Sequence, residues 1–252
     1  MRIACIHAHP DDAEILAGGT LALLAALGHE VTMVTMTAGD CGSVKVGPDA
    51  ISAIRKAEAA ASAASIGAHY RCAGFWDLAI FTDDSSRRIV TGLLRDLRPQ
   101  IVITASPSDY LCDHETTSEL VRDACFAASV PNYSTKPKRG ALPAILPLYF
   151  VDPIGLTDRE GRETVPDFVV NVGSTLETKK AMLATHRSQR EWLREQHGMD
   201  DYLAQMEEWT RQRGTRAGIE YGEGFRQYKT HPFPHEPVLQ QILAAHIAGR
   251  PI

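Results

Sequence analysis

The chain places two histidines and two adjacent aspartates in one short segment. The segment reads HAHPDDAEILAGGT over residues 7–20 and contains His9, Asp11 and Asp12. Two neighbouring carboxylates repel each other unless a positive charge lies beside them. A metal ion, a helix N-terminus or water could each relieve that repulsion, and histidine with carboxylate is a ligand set that Zn²⁺ accepts. The segment alone does not decide between these three.

A second group of such residues could complete, together with the first, the ligand set of a catalytic zinc ion. The segment PSDYLCDHETTS over residues 107–118 contains Asp109, Asp113 and His114. Catalytic zinc takes three protein ligands and keeps one position for water. His9, Asp12 and His114 can supply such a set, and we predict a metal site formed by them as one interpretation of the two segments.

The two remaining carboxylates of these segments suggest supporting roles. Asp11 would lie beside the ion and act as a general base, while the ion lowers the pKa of a water molecule. Asp113 would orient a ligand histidine through its second ring nitrogen.

Each segment also has a purely structural interpretation. Asp11 or Asp12 could cap the helix that follows, with Glu14 favourable to the helix dipole, and DHETTS could be a second cap. Gly18 and Gly19 lack the GxGxxG spacing and lie inside a predicted helix. They therefore indicate close helix packing and argue against a dinucleotide site.

The elements that must position these residues alternate along the first half of the chain. This alternation predicts an α/β fold, a Rossmann-like three-layer α/β/α arrangement with a mostly parallel sheet. In such sheets ligands bind where the strand order reverses, between the first and fourth strands, which would bring the two segments together. We predict strands at 2–8, 29–37, 68–75 and 100–106, and helices at 13–28, 49–67, 85–99 and 114–129.

The second half of the chain predicts a C-terminal elaboration of strands and helices. The apolar runs at 145–156 and 159–172 indicate strands, and charged amphipathic patterns indicate helices at 174–198 and 199–214. The proline-rich segment at 231–237 is predicted to be irregular. Since no repeat or linker interrupts the sequence, we predict one domain over residues 1–252.

The composition excludes some classes of function. The 252 residues carry a net charge of -5, which gives no electrostatic footprint for nucleic acid. Five cysteines without a CxxC pair indicate a reducing compartment. Signal-peptide and membrane-spanning patterns are missing from the sequence. We expect a cytoplasmic protein with a small-molecule substrate, without nucleic acid or membrane, and we leave a homo-oligomer open.

The segment AHPDDAEILAGGT resembles the N-terminal signature of the LmbE/PIG-L family of zinc-dependent N-acetylglucosaminyl deacetylases. The resemblance implies that His9, Asp12 and His114 bind Zn²⁺, or another divalent metal, and that Asp11 is the base. Further segments are similar to the family in the same order and span most of the chain: TMTAGDCGS (35–43), IRKAEAAASAASIGA (54–68), GFWDL (74–78), DH (113–114), KKAMLATHRSQ (179–189) and EYGEGFR (220–226).

Two further positions match substrate-side residues of the family. Arg55 and Asp77 stand where the resemblance implies groups that contact or organise substrate. A surface ion pair with Glu58 is the alternative for Arg55, and a loop cap is the alternative for Asp77.

One departure from the family concerns the second segment. Many members read His-x-Asp-His there, whereas Leu111 replaces the first histidine in the LCDH of this chain. Tyr110 could instead donate a hydrogen bond to an oxyanion, with buried packing as its alternative. His186 is another candidate for catalysis, with an exposed helical position as its alternative. Cys112 is expected to pack rather than bind metal.

The sequence therefore predicts an enzyme that removes an N-acyl group, in most family members acetyl, from an amino sugar or sugar conjugate. Water activated by zinc would attack the amide. A metal-dependent amidase for a non-sugar amide, such as a thiol or antibiotic-type conjugate, is the first alternative. A metal-binding or nucleotide-binding module without catalysis is the second.

Overall fold

The described part of the chain folds around a mixed sheet of seven strands. The structure, a computed structural model, describes residues 1–198 and 201–249. Strands β1 to β5 pair in parallel, and β7 lies antiparallel between β5 and β6, in the order β3-β2-β1-β4-β5-β7-β6. The strands are β1 (Arg2–His7), β2 (Glu30–Thr37), β3 (His69–Phe75), β4 (Ile101–Thr104), β5 (Leu148–Val151), β6 (Phe168–Asn171) and β7 (Gly222–Gln227).

Eight helices accompany the sheet in the described residues. Through α4, every helix and strand boundary lies within two residues of the prediction, and the three-layer α/β/α class is confirmed. The helices are α1 (Asp12–Ala26), α2 (Pro48–Ser65), α3 (Asp84–Leu97), α4 (Cys112–Ala127), α5 (Leu176–Ala184), α6 (Arg187–His197), α7 (Tyr202–Arg216) and α8 (Val238–Ile242).

The strands of the sheet centre are buried on both faces. In β1, Ile3 and Cys5 belong to one apolar cluster, while Ala4 and Ile6 belong to the cluster on the opposite face. This follows from the two-residue period of a strand, and it explains why β1 reads as a continuous apolar run.

The strand order reverses beside β1. The chain runs from β1 outward through β2 to β3 and then returns to form β4 on the other side of β1, with Ile6 opposite Thr104. The loops after β1 and β4 therefore meet at one edge of the sheet, as the sequence predicted.

The C-terminal strands are shorter than predicted. The run at 145–156 forms a strand only at 148–151, and the run at 159–172 only at 168–171. Pro147 and Pro153 flank the first strand, and Pro166 precedes the second. Proline lacks the N–H that a sheet ladder needs, which limits both strands.

The predicted helix at 174–198 is two helices, α5 and α6, separated at Thr185 and His186. The Thr185 hydroxyl donates to the carbonyl of Met182, 2.7 Å away, and His186 leaves the helical backbone region with ψ at 62°. The His186 ring turns inward and is 1% exposed. The predicted helix at 199–214 corresponds to α7, and residues 199–200 lie outside the described residues.

Strand β7 was not predicted as a strand, because glycine disfavours strands in general. Here two glycines are required by close contacts. A Cβ atom at Gly222 would lie 2.5 Å from Val169 Cγ1, and one at Gly224 would lie 2.2 Å from Asp152 Oδ2.

The Gly pair of α1 serves close packing, as predicted. A Cβ atom at Gly19 would lie 2.6 Å from Val172 Cβ, just after β6. Beside it, Lys179 donates to Glu223 Oε1 at 2.7 Å, and the two Glu223 oxygens accept the backbone N–H groups of Gly19 and Thr20. This buried ion pair joins α1, α5 and β7.

Candidate metal centre

The two segments with the candidate ligands, residues 7–20 and 107–118, meet at the edge of the sheet where the parallel strands end. His9 follows β1, Asp12 is the first residue of α1, and His114 lies in the first turn of α4. Their convergence follows from the adjacency of β1 and β4, since parallel strands place their carboxyl ends side by side.

These three side chains offer donor atoms to a common point. Within residues 1–198 and 201–249, His9, Asp12 and His114 form the one group of His, Cys, Asp or Glu whose ligand atoms all lie within 4.8 Å of one another. Nδ1 of His9 is 3.5 Å from Asp12 Oδ2, and Nε2 of His114 is 3.5 Å from Asp12 Oδ1. Two imidazoles and one carboxylate fit a divalent ion of the zinc type.

Each histidine of the group is oriented by its own carboxylate. Nε2 of His9 lies 3.1 Å from Asp113 Oδ2, and Nδ1 of His114 lies 3.1 Å from Asp109 Oδ1. In metal sites this second contact fixes the tautomer of a ligand histidine and points its other nitrogen at the ion. The arrangement thus leaves His9 Nδ1 and His114 Nε2 facing Asp12, which is what a metal site requires.

Asp11 and Asp12 occupy different environments. The side chain of Asp12 faces the histidines and accepts the backbone N–H of His9 at 2.8 Å. Asp11 has a left-handed backbone, with φ at 100°, and accepts a hydrogen bond from the Tyr202 hydroxyl. Non-glycine residues seldom adopt this conformation, and such strain is concentrated at functional sites.

The two aspartates also differ in their pKa. Burial disfavours the charge of Asp12, but the nearby His114 and His9 outweigh it and hold the pKa of Asp12 well below its ordinary value. Burial raises the pKa of Asp11 to about 6, although Arg55 opposes the shift. Asp12 is thus ready to serve as an anionic ligand, whereas Asp11 can exchange a proton near neutral pH.

The capping alternative for the first segment is wrong. Asp11 stands at the N-cap position of α1, yet its side chain makes no capping hydrogen bond. The side chain of Asp12 also turns back toward His9.

Arg55 lies beneath Asp11 rather than on a helix surface. It is 3% exposed, and its Nη2 atom donates to the Pro10 carbonyl at 2.9 Å and lies 3.7 Å from Asp11 Oδ1. Gly39 makes room for the guanidinium, since a Cβ there would lie 2.5 Å from Arg55 Cζ. The alternative partner, Glu58, accepts the backbone N–H of Ser188 instead.

Asp77 lies next to His9 and also ties down a loop. Its Oδ1 is 3.9 Å from His9 Nε2, and its Oδ2 accepts the backbone N–H of Cys41 at 2.9 Å. The next residue, Leu78, donates its N–H to Asp113 at 2.7 Å. The loop after β3 therefore supports the histidine from the side.

The residues around Leu111, which replaces the family histidine, differ in their exposure. Leu111 is half-buried and precedes α4 in an extended conformation, and Cys112 is exposed. Tyr110 is 69% exposed, and its ring stands edge-on to His114 with centroids 5.5 Å apart. Tyr110 is therefore not a buried packing residue, and its exposed ring lies beside His114.

His186 lies behind Asp11, away from the three clustered donor atoms. It is buried, and its Nε2 atom lies 2.8 Å from Glu14 Oε1. The exposed alternative for His186 is thus wrong. Glu14 and Asp11 lie on the same turn at the start of α1, so His186 contacts this end of the helix through Glu14.

Three of these contacts are not predicted by the sequence. The sequence pattern gives Asp109 no role, gives Glu14 only a favourable effect on the helix dipole, and does not single out Tyr202. Asp109 lies in the same short segment as His114, and this closeness in sequence is a signal for a carboxylate that orients the histidine. Tyr202 had no local signal, since its contact joins α7 to a residue at the opposite end of the chain.

The fold and the clustered donors define an α/β protein with a candidate metal centre, and comparison with known proteins shows what it is similar to. Residues 4–125 match the family model described as PIG-L: GlcNAc-PI de-N-acetylase. Over that part, slightly less than half of the 252 residues, the chain is similar to the PIG-L/LmbE family, as the sequence resemblance implied.

Curated relatives carry one recurring name. The chain is 31% identical over 169 residues to the 1D-myo-inositol 2-acetamido-2-deoxy-alpha-D-glucopyranoside deacetylase of Acidothermus cellulolyticus, a match that covers 50% of the chain and 57% of the relative. The chain spans little more than half the length of most such relatives. The match to the Rhodococcus jostii protein is longer and covers 81% of that relative at 27% identity.

Solved structures share the fold. The N,N'-diacetylchitobiose deacetylase of Pyrococcus horikoshii aligns with a TM-score of 0.77 and 24% identity, over 94% of this chain and 88% of that one. The 4-carboxy-2-hydroxymuconate hydratase of Pseudomonas putida aligns with a TM-score of 0.74 and 22% identity, over 93% and 98%. At these identities the likeness establishes the fold, and one fold can carry more than one chemistry.

No helix within residues 1–198 and 201–249 is both long enough and apolar enough to cross a membrane.

Proposed function

We propose that the protein is a zinc-dependent N-deacetylase that acts on an N-acyl amino sugar or a conjugate of one. The observation that carries the proposal is the cluster of His9, Asp12 and His114, with a separate carboxylate behind each histidine. The family and the names of the relatives support the same reaction class.

The three clustered residues would hold the ion. When bound there, zinc polarises a carbonyl group and lowers the pKa of water. Asp109 and Asp113 keep the two imidazoles in the tautomers that such binding needs.

Asp11 would accept a proton from the attacking water and pass it to the leaving nitrogen. As the oxygen of a water molecule bonds to the amide carbonyl carbon, a carboxylate oxygen of Asp11 accepts the proton that the water loses. The carbon–nitrogen bond then breaks, and the same proton passes to the leaving nitrogen. Water and amide thus become a carboxylic acid and an amine, with Asp11 restored.

Tyr110 and His186 would contribute in different ways. The exposed hydroxyl of Tyr110, beside His114, is our candidate donor to the oxyanion that forms at the carbonyl. His186 is buried against Glu14, so we assign it the support of α1 rather than contact with substrate.

The loops around the site bear on the kind of substrate. They follow β2, β3 and β4 and carry six of the large apolar side chains that are exposed in the described residues. These side chains favour a substrate with an apolar portion next to its acylated sugar. The residues are Val44, Val46, Trp76, Leu78, Phe81 and Tyr110.

A substrate panel tests the proposed function. Zinc-loaded protein is incubated with N-acetylglucosamine, its phenyl glycoside, an N-acetylglucosaminyl inositol and a non-sugar N-acetyl thiol conjugate, and the released amine is measured. We expect release from the sugars, with the lowest KM for the phenyl glycoside. Release from the thiol conjugate alone would favour the amidase alternative, and no release from any amide would contradict the proposal.

A further inference from the structure

Side chains from residues 186–198 and from Tyr202 contact α1, its N-cap residue and α2. These residues lie beyond residues 4–125, which the family model covers. They reach back to the first half of the chain through side chains rather than through the sheet. Their contacts are His186 to Glu14, Ser188 to Glu58 and Tyr202 to Asp11.

The Tyr202 contact reaches the proposed base directly. The phenol donates a hydrogen bond to Asp11 Oδ2, and the exposed fractions of Tyr202 and Asp11 are only 7% and 5%. Burial, together with the adjacent charge of Asp11, raises the pKa of Tyr202 well above its ordinary value. The phenol therefore keeps its proton and remains a hydrogen-bond donor.

The other oxygen of the same carboxylate faces a cation. Arg55 Nη2 lies 3.7 Å from Asp11 Oδ1, and the guanidinium is fixed by its bond to the Pro10 carbonyl. The carboxylate of Asp11 thus has a neutral donor on one side and a positive charge on the other. A carboxyl group with only one such partner could rotate about its bond to Cβ.

We propose that Tyr202 is a positioning residue for Asp11. Its hydroxyl fixes the plane of the carboxylate, so that the lone pairs not used by Tyr202 and Arg55 stay directed at the reacting water. The inference rests on the proposed function, in which Asp11 accepts the proton. It assigns the C-terminal half a part in the reaction through one hydroxyl group.

The variant Tyr202→Phe removes only that hydroxyl. We expect kcat to fall about 10-fold, the lower range for losing a hydrogen bond to a charged group, with KM and zinc affinity unchanged. Tyr149→Phe is the matched control, because Tyr149 is also buried and its hydroxyl bonds to Gln240 and Leu239 far from the site. An unchanged kcat in Tyr202→Phe would overturn the inference, and so would an equal fall in the control.

A double-mutant cycle tests whether Tyr202 acts through Asp11. In the Asp11→Asn background, measured by single-turnover assay, Tyr202→Phe should cause less than a twofold further loss. A further loss as large as in the wild type would show that Tyr202 acts independently, against the inference.

Crystal structures give a readout that does not depend on activity. We expect one orientation of the Asp11 carboxylate in the wild type and a turned or split carboxylate in Tyr202→Phe. An unmoved carboxylate would contradict the inference even if no amide in the panel were hydrolysed. The failure of the proposed function and the failure of this inference are therefore separate results.

Discussion

Replacement of Asp109 by asparagine tests how His114 is prepared for metal binding. Asp109 Oδ1 lies 3.1 Å from His114 Nδ1, and its Oδ2 accepts the backbone N–H of Ile154 at 3.1 Å. The carboxylate, which is 2% exposed, therefore faces His114 with one oxygen and accepts a backbone hydrogen bond with the other. Asparagine has the same shape but only one acceptor oxygen, so its NH₂ group must face one of the two donors.

Two estimates of the effect agree. A buried donor left without an acceptor costs about 1–3 kcal/mol. Loss of the partner of a ligand histidine weakens metal binding about 10–100-fold, which corresponds to about 1.4–2.7 kcal/mol. We therefore expect Asp109→Asn to bind zinc about 10–100-fold more weakly than the wild type.

A competition titration measures this effect. Metal-free protein is titrated with zinc against a chelator of known affinity, for the wild type, Asp109→Asn and the control Asp96→Asn. Asp96 pairs with Arg139 at the surface, at 2.9 Å, and its replacement should leave zinc affinity unchanged. An affinity of Asp109→Asn within twofold of the wild type would refute the role that we give to Asp109.

Three further changes have defined outcomes. Asp11→Asn should keep its zinc affinity and lose at least about 100-fold in kcat, since it removes the general base, and full activity would exclude Asp11 from the reaction. Lys179→Met leaves the charge of Glu223 buried without its partner, and we expect a loss of about 3–5 kcal/mol in the free energy of unfolding in urea; a loss below about 1 kcal/mol would contradict this. Gly19→Ala should cost about 1–3 kcal/mol in the same assay because its Cβ collides, whereas Gly140→Ala, with nothing within 4 Å, should cost far less, and equal losses would argue against tight packing at α1.

The convergence of the metal ligands was predictable because it depends on topology. Alternating strands and helices indicate a parallel sheet, and a parallel sheet brings the chain after β1 and after β4 to one edge. His9, Asp12 and His114 therefore meet although the third residue is far from the others in sequence. No detail of side-chain packing was needed for that prediction.

The supporting contacts were less predictable because they depend on the direction of single side chains. Tyr202 reaches Asp11 because α5 packs against α1 and α7 packs against α5, and nothing local to Tyr202 marks this contact. The family resemblance singles out His186. Its contact with Glu14, however, depends on the break between α5 and α6, which the sequence pattern does not predict. Strand β7 is not predicted for a similar reason. Its glycines weaken the strand pattern, and they are required because neighbouring side chains leave no room for a Cβ atom.

The position of the bound ion tests the central claim most directly. Crystals of the protein loaded with zinc are measured on both sides of the zinc absorption edge, and the anomalous difference map locates the metal. We expect a single strong peak within bonding distance of His9 Nδ1, Asp12 and His114 Nε2, with Asp11 beside it and not bound. No peak at this position, or a peak held by other residues, would contradict the metal centre on which the proposed deacetylase depends.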